Sequence, residues 1–305
     1  MLGGIRGCLP TGSGIWKLWP LMGDDTMPEW NEKYDALCRS LAGLGPVAVA
    51  FSGGVDSMLL LRAGVDALGA ENVLAVNAAA VNFPAWEHCE ADAYCAALGV
   101  RLLTVAFRPL EVPGFRENPP ERCYLCKRAL FEELLRAAGE QGFPTVVEGT
   151  NLDDEKDYRP GLAAIAELGV LSPLRKAGLT KRDIRILSRE LGLPTWDKPS
   201  NACLATRIPY GEAITEETLE RIDRAEAFLR SLDFRQVRVR AHGTLARIEV
   251  PPHELDRFLD EGMRMRVTEA CKRFGFTYVS LDLTGYRTGS MNAGLPREVL
   301  ERYNT

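Results

Sequence analysis

Ser52-Gly53-Gly54-Val55-Asp56-Ser57 brings together adjacent glycines, a pair of hydroxyls and a carboxylate directly after an apolar run. The glycines let the backbone turn tightly and approach a bound group closely. Amides exposed at the start of a following helix, with the helix dipole behind them, favour a phosphate there. Ser52 and Ser57 can donate hydroxyl bonds, and Asp56 can hold Mg2+ against the phosphates. The Walker loop meets the same need with a lysine after its last glycine, and no GK[ST] triplet occurs in this chain.

Thiols form the next candidate group. Cys123 and Cys126 make a C-x-x-C in ERCYLCK, at the start of a helical pattern where Arg122, Lys127 and the helix N-terminus favour thiolates. Cys203 stands in SNACLATR, a run of small residues followed by Arg207. The chain has eight cysteines. Cys38, Cys89, Cys95 and Cys271 fall in helical stripes and Cys8 near the N-terminus, where they read as small buried or incidental residues. A structural zinc site wants four ligands, but there is no second C-x-x-C, and His88, His242 and His253 are the chain's three histidines. Three thiolates with a vacant fourth position suit an iron–sulfur cluster with one iron open to sulfide or substrate. Without a cluster, Cys203 would be a nucleophile and the C-x-x-C a resolving pair.

Arg207, Arg238, Arg240 and Arg247 supply guanidinium groups near Cys203 or on one strand face, a side chain suited to bidentate binding of carboxylate and phosphate. Glu249 would order those arginines or bind metal. A solvated charged face is the competing explanation for all five.

The elements that must position these groups alternate. A short amphipathic helix with Tyr34, Leu37, Cys38 and Leu41 precedes a buried strand over 47–51, and the Gly-rich turn opens a helix through Met58–Leu61. Strands over 73–77, 101–105 and 145–148 alternate with helices over 86–98 and 126–138. That order predicts right-handed crossovers and a parallel sheet covered on both faces, with ligands beyond the carboxyl ends of its strands. After Cys203 the pattern changes. A helix over 216–232 leads to alternating strands over 236–240, with one wet face, and 245–250. A helix follows through HELDRFLDEGMRMRVTEACKRFGF, then a strand over 277–283. The division expected is a Gly- and Pro-rich flexible leader over 1–30, an α/β domain over 31–207, and an α+β domain over 208–305 for substrate binding or oligomerisation, joined near 208–215.

At 305 residues, with 46% hydrophobic and 26% charged, the chain has the composition of a globular protein with a real core. Its formal charge of −5 argues against a general electrostatic grip on nucleic acid. No uninterrupted apolar run near the N-terminus is long enough for a secretory leader or membrane span, so a cytoplasmic protein with reduced thiols is expected.

The SGGxDS hexapeptide after a buried strand resembles the signature of the PP-loop, or N-type ATP pyrophosphatase, superfamily, whose fold is Rossmann-like. That likeness implies that ATP is split to AMP and pyrophosphate by way of a substrate adenylate. It also implies that Asn77 lies on the adenine side of the nucleotide, with ordinary turn chemistry as the competing reading. Thr150 and Asn151, in Glu148-Gly149-Thr150-Asn151 ahead of Asp153 and Asp154, read as a loop closing over ATP or helping to bind metal.

NPPERCYLCK, EGTNLDDEKDYRPG, GVLSPL, GLTKRDIRILSRELGLP, WDKPSNACLATRIPYG and RVRAHGTLARIEV, together with SGGVDS, are similar to the LarE family over about residues 31–290. These are ATP-dependent sulfur transferases of nickel-pincer cofactor biosynthesis, serving lactate racemization. The resemblance implies adenylation of the carboxylates of pyridinium-3,5-biscarboxylic acid mononucleotide and their conversion to thiocarboxylates. It gives Cys203 the place of the family's sulfur donor, which single-cysteine members sacrifice. The pattern of Cys123, Cys126 and Cys203 is similar to members with a [4Fe-4S] cluster carrying an extra sulfide. A small-molecule substrate, a homo-oligomer, no nucleic acid and no membrane are the expected partners. The main rival is a tRNA thiolase, disfavoured by the acidic balance and the missing zinc ribbons. An ammonia-using synthetase would lack its glutaminase and leave the cysteines idle.

Overall fold

The computed structural model describes residues 29–156, 160–199, 202–287, 289–291 and 295. The leader expected over 1–30 lies, up to residue 28, outside the described residues. Helix α1 (Glu29–Ala42) leads into β1 (Val47–Ala50), and alternation continues through α2 (Val55–Leu68), β2 (Val73–Ala79), α3 (Ala85–Leu98), β3 (Arg101–Ala106), α4 (Arg122–Glu140) and β4 (Thr145–Val147). The four strands are parallel, in the order β3-β2-β1-β4.

The apolar runs of β1 and β2 follow from helices on both faces. Val47 and Val49 pack with Leu37, Leu41, Leu59 and Leu60 of α1 and α2. Ala48, Leu74 and Val76, pointing the other way, pack with Phe131 and Leu134 of α4. The fold class read from the sequence is therefore the one observed. Because β2 and β3 lie on one side of β1 and β4 on the other, the loops leaving β1 and β4 diverge at a topological switch point, where a crevice opens.

Beyond β4 come α5 (Gly161–Glu167), α6 (Pro173–Lys176) and α7 (Lys181–Glu190), with a parallel bridge between Val147 and Leu171 extending the sheet edge. Thr180 caps α7 in a reciprocal box with Asp183, which fixes where that helix starts.

The second sheet contains β5 (Arg238–His242), β6 (Leu245–Glu249) and β7 (Tyr278–Leu281), with α8 (Glu216–Ser231) before it and α9 (Glu261–Arg273) between its last strands. β5 and β6 form an antiparallel hairpin turning at Gly243, whose φ is +54°, and β7 joins β6 in parallel. Two expectations change here. The single helix expected after residue 252 is instead a 3-10 stretch over Pro252–Leu259 followed by α9, because Asp260 takes the Met263 amide and starts a new helix. The wet face expected along β5 is buried: Arg238 and Arg240 are 4% and 5% exposed. Apolar packing runs from this sheet back to Ala78, Phe107, Phe115 and Cys126, so residues of both halves share one core. No described helix is long and apolar enough to cross a membrane.

Phe234 anchors that core, fully buried, stacked on Phe258 at 5.3 Å and capped by the Arg257 guanidinium at 3.7 Å. Phe234→Ala should cost about 3–5 kcal/mol, read by equilibrium urea unfolding; a loss under about 1 kcal/mol would mean that the site collapses around the gap.

Candidate functional site

The Gly-rich turn runs from β1 into α2. Gly53 takes a φ of +68°, which a side chain would strain, and Gly54 caps α2 with no side-chain acceptor, leaving the first helical amides for a ligand. Ser52 Oγ and Ser57 Oγ lie 3.1 Å apart, and Ser57 Oγ donates to the Gly54 carbonyl at 3.2 Å. The hydroxyls thus brace the turn that a phosphate would enter.

Across the crevice, Gly149 follows β4. A Cβ there would sit 3.1 Å from the Ser57 amide nitrogen and 3.2 Å from Asp56 Cβ. Glycine is what lets the two loops touch. Asn151 Nδ2 donates to Asp56 Oδ1 at 3.3 Å, and Glu148 accepts from the Thr150 amide at 3.0 Å and its hydroxyl at 2.8 Å. Lys181, first residue of α7, pairs with Asp56 Oδ2, while its amide donates to Asp153 at 2.9 Å. Asn77 is 7% exposed, and its Oδ1 has no hydrogen-bond partner among the described residues. β2 runs two residues beyond it, to Ala79, so Asn77 lies inside the strand rather than ending it.

Cys123 and Cys126 occupy the first turn of α4, and Cys203 precedes a 3-10 turn over Leu204–Arg207. The fold brings the three thiols within electrostatic reach of one another. Burial, then the neighbouring Cys203 and Cys123, pushes the Cys126 thiol well up against the opposing pull of Lys127 and Arg122. Burial and then Cys123 raise Cys203 as well, partly offset by the Ala205 amide and the Asn82 side chain. The low-pKa setting expected for the C-x-x-C is therefore overturned at Cys126, because burial outweighs the helix terminus. Among the described residues, no three His, Cys, Asp or Glu side chains are grouped as metal ligands. The [4Fe-4S] expectation rests on donor chemistry instead: three thiols that act on one another, beside the cationic Arg122 and Lys127. Cys38, Cys95 and Cys271 are free thiols away from this group, each pushed up by burial to about 12, 12 and 11. Cys8 and the Cys89 side chain lie outside the described residues.

The arginines divide. Arg207 turns inward at 1% exposure. Its Nε and Nη2 donate to Glu226 at 2.8 and 3.1 Å, and Nη1 donates to the Ala202 and Cys203 carbonyls at 2.8 and 3.2 Å. Expected to bind substrate, it holds the cysteine loop instead. Arg238 and Arg240 on β5 face Glu249 and Arg247 on β6 in register, so all four share one sheet face. Buried Glu249 accepts from Arg240 at 2.7 Å and Arg247 at 3.3 Å, as an ordering residue would. Arg240 Nε and Arg247 Nε are buried without partners among the described residues. Burial, and then Arg207 nearby, lowers Arg238 to about 10. Such crowding of cations suits a bound anion.

Sequence reasoning missed Asn82, Asn118, Lys181, Lys198 and Glu226, and read Arg122 only as a charge beside the thiols. Asn82 Nδ2 donates to Cys203 Sγ at 3.0 Å. Arg122 donates to Asn118 Oδ1 and stacks on Tyr210 at 4.3 Å, and Asn118 Nδ2 reaches the Pro209 carbonyl at 2.7 Å, clasping α4 to the chain after Cys203. Lys198 Nζ reaches the Gly53 carbonyl at 2.8 Å. Polar residues at loop starts and lone lysines carry no periodic signal. The motifs GLTKRD and WDKPSNAC contained the two lysines without marking them.

No protein-family model matches the chain. An uncharacterized protein from Synechocystis sp. is 40% identical over 267 residues, 88% of this chain and 99% of the relative. The pyridinium-3,5-bisthiocarboxylic acid mononucleotide synthase of Lactiplantibacillus plantarum is 38% identical over 271 residues, 89% of this chain and 98% of the relative. A tRNA-specific 2-thiouridylase of Desulforamulus reducens is 28% identical over 196 residues, 51% of this chain and 53% of the relative.

Two outcomes are expected from this geometry. Gly149→Ala should weaken ATP binding by about tenfold through overpacking against Ser57 and Asp56, with the melting temperature little changed; calorimetric titration gives the answer. Glu226→Leu should cost about 3–5 kcal/mol by leaving Arg207 buried and unpaired, and adding Arg207→Met should recover much of it. Burial alone would raise Glu226, but Arg207 outweighs it and holds the carboxyl below its ordinary value. Its stabilisation is thus complete above about pH 4.3 and is lost as pH falls through the depressed value. The double variant should lack that part of the acid sensitivity in urea unfolding.

Proposed function

This chain belongs to the LarE family of pyridinium-3,5-bisthiocarboxylic acid mononucleotide synthases, enzymes of the ATP-using PP-loop class, and on that footing we propose that it adenylates the carboxylates of pyridinium-3,5-biscarboxylic acid mononucleotide and replaces each activated oxygen by sulfur. A substrate carboxylate oxygen attacks the α-phosphorus of ATP, the bond to the bridging oxygen breaks, and pyrophosphate leaves. The amides at the start of α2, with Ser52 and Ser57, hold the phosphates, and Asp56 holds Mg2+. Asn77 takes the adenine side, Thr150 and Asn151 line the opposing loop, and Lys181 offsets developing negative charge. Arg238, Arg240 and Arg247, ordered by Glu249, take the anionic groups of the mononucleotide. A sulfur nucleophile then attacks the acyl carbon, a C–S bond forms, and AMP departs with the C–O bond.

The observation carrying this reading is the shared sheet edge. The phosphate loop leaves the carboxyl end of β1, and the loop that hydrogen-bonds Cys203 leaves the carboxyl end of neighbouring β2. That both loops leave the same end of the sheet supports activation and sulfur delivery in one site. A [4Fe-4S] cluster on Cys123, Cys126 and Cys203 would supply a bound sulfide as the nucleophile. The second source is the sulfur of Cys203 itself, whose Sγ accepts a hydrogen bond from Asn82. In that route Cys203 Sγ attacks and AMP leaves. Loss of the α-proton and cleavage of Cβ–Sγ then release the thiocarboxylate and leave dehydroalanine.

ATP, Mg2+ and the dicarboxylate mononucleotide should give AMP and pyrophosphate in equal amounts, and Asp56→Ala should slow this by roughly 10²–10³-fold. ADP with phosphate, or release driven by tRNA in place of the mononucleotide, would overturn the assignment. Anaerobic purification separates the sulfur sources. About four irons per chain, with repeated turnover on added sulfide, marks the cluster. A single turnover with loss of the elements of hydrogen sulfide at Cys203 marks the sacrificial route.

A further inference from the structure

Asn82 sits in the loop after β2, 1% exposed, and contacts the cysteine loop twice. Its backbone carbonyl accepts the Leu204 amide at 2.9 Å, and its side-chain Nδ2 donates to Cys203 Sγ at 3.0 Å. The amide oxygen Oδ1, meanwhile, is buried without a hydrogen-bond partner among the described residues. Buried side-chain amides are normally hydrogen-bonded, and here the donor end of the amide goes to sulfur.

The backbone of the loop needs no help from that side chain. Arg207 holds the Ala202 and Cys203 carbonyls, and the Asn82 carbonyl holds Leu204. What these contacts leave undetermined is the direction of the Cys203 side chain about its own χ1. Resting on the sulfur-transfer reading above, we infer that Asn82 is a positioning residue whose amide N–H fixes the Cys203 sulfur at the crevice, so that the adenylate is captured by sulfur before water reaches it.

Asn82→Ala removes the donor. Asn82→Asp keeps the shape and presents an acceptor to the sulfur instead. Both keep the backbone carbonyl that docks Leu204. Substrate-dependent pyrophosphate release should stay within about twofold of wild type, while thiocarboxylate formed per AMP falls about tenfold or more, the worth of one hydrogen bond to a charged group. In iron-free protein without substrate, alkylation of Cys203 by iodoacetamide at one fixed pH, located by peptide mass, should slow in both variants and most in Asn82→Asp. An unchanged product-to-AMP ratio would overturn the inference. So would a parallel fall of pyrophosphate and product, which would make Asn82 a support of the whole site. If the wild-type protein releases no substrate-dependent pyrophosphate, the functional reading fails by itself, and the alkylation rates alone decide whether Asn82 governs the sulfur.

Discussion

Glu226 lies in the middle of α8 with no exposed surface, and the geometry around Cys203 depends on its pairing with Arg207. The carboxylate takes both Arg207 donors at 2.8 and 3.1 Å and the Val239 amide at 3.0 Å, so it joins α8, β5 and the cysteine loop. Two charges out of water are costly unless their hydrogen bonds are satisfied, and here the remaining Arg207 donors go to loop carbonyls. The pair does more than offset its own desolvation. It adds directional bonds to a loop whose Leu204 and Ala205 are already buried in the core. Removing one partner would leave a charge stranded beside that loop, which is why the pair acts as a constraint.

Two further clasps meet the same loop from other directions. Asn118, in the left-handed region at φ +56°, reaches the Ile208 and Pro209 carbonyls and accepts from Arg122, whose guanidinium packs on Tyr210. That carries the first turn of α4, with Cys123 and Cys126, to the chain just after Cys203. From the sheet side, Asn82 holds Leu204 and the Cys203 sulfur. Residues far apart in sequence are thus brought together by buried polar contacts rather than by apolar packing alone. Polar contacts are directional, so they fix orientation as well as proximity.

The parallel sheet was legible because its central strands are apolar runs at crossover spacing, and SGGVDS was legible because a Gly-rich turn between strand and helix is contiguous in sequence. Asp56 and Cys203 stood out by residue type. Arg207 shows where such reading stops. In sequence it is one more arginine beside a cysteine, and nothing in SNACLATR reveals that a glutamate nineteen positions later takes its charge inside the protein. The alternation in QVRVR was correctly a strand, yet alternation cannot say which face is wet, and here arginines and valines are both buried. The helix break at Asp260 was likewise hidden, because apolar periodicity continues through it while a single cap decides the boundary. Asn82 and Glu226 were invisible for the same reason. Their partners lie far away in sequence and belong to no repeating pattern.

The phosphate loop and the cysteine loop are also linked through lysines. Lys198 lies five residues before Cys203 and reaches the Gly53 carbonyl at 2.8 Å and Glu90 at 2.6 Å, so the segment leading to the cysteine touches the Gly-rich turn. Lys181 meanwhile pairs with Asp56, the carboxylate of that turn. Asn151 donates to the other oxygen of the same carboxylate, so the loop after β4 and the start of α7 both meet the Gly-rich turn at Asp56. Thr180 and Asp183 cap α7 and so fix where Lys181 begins, while its flexible stem lets the ammonium reach across. Lysines, monodentate on flexible stems, thus meet the Gly-rich turn, while arginines, planar and multiply bonded, hold the cysteine loop.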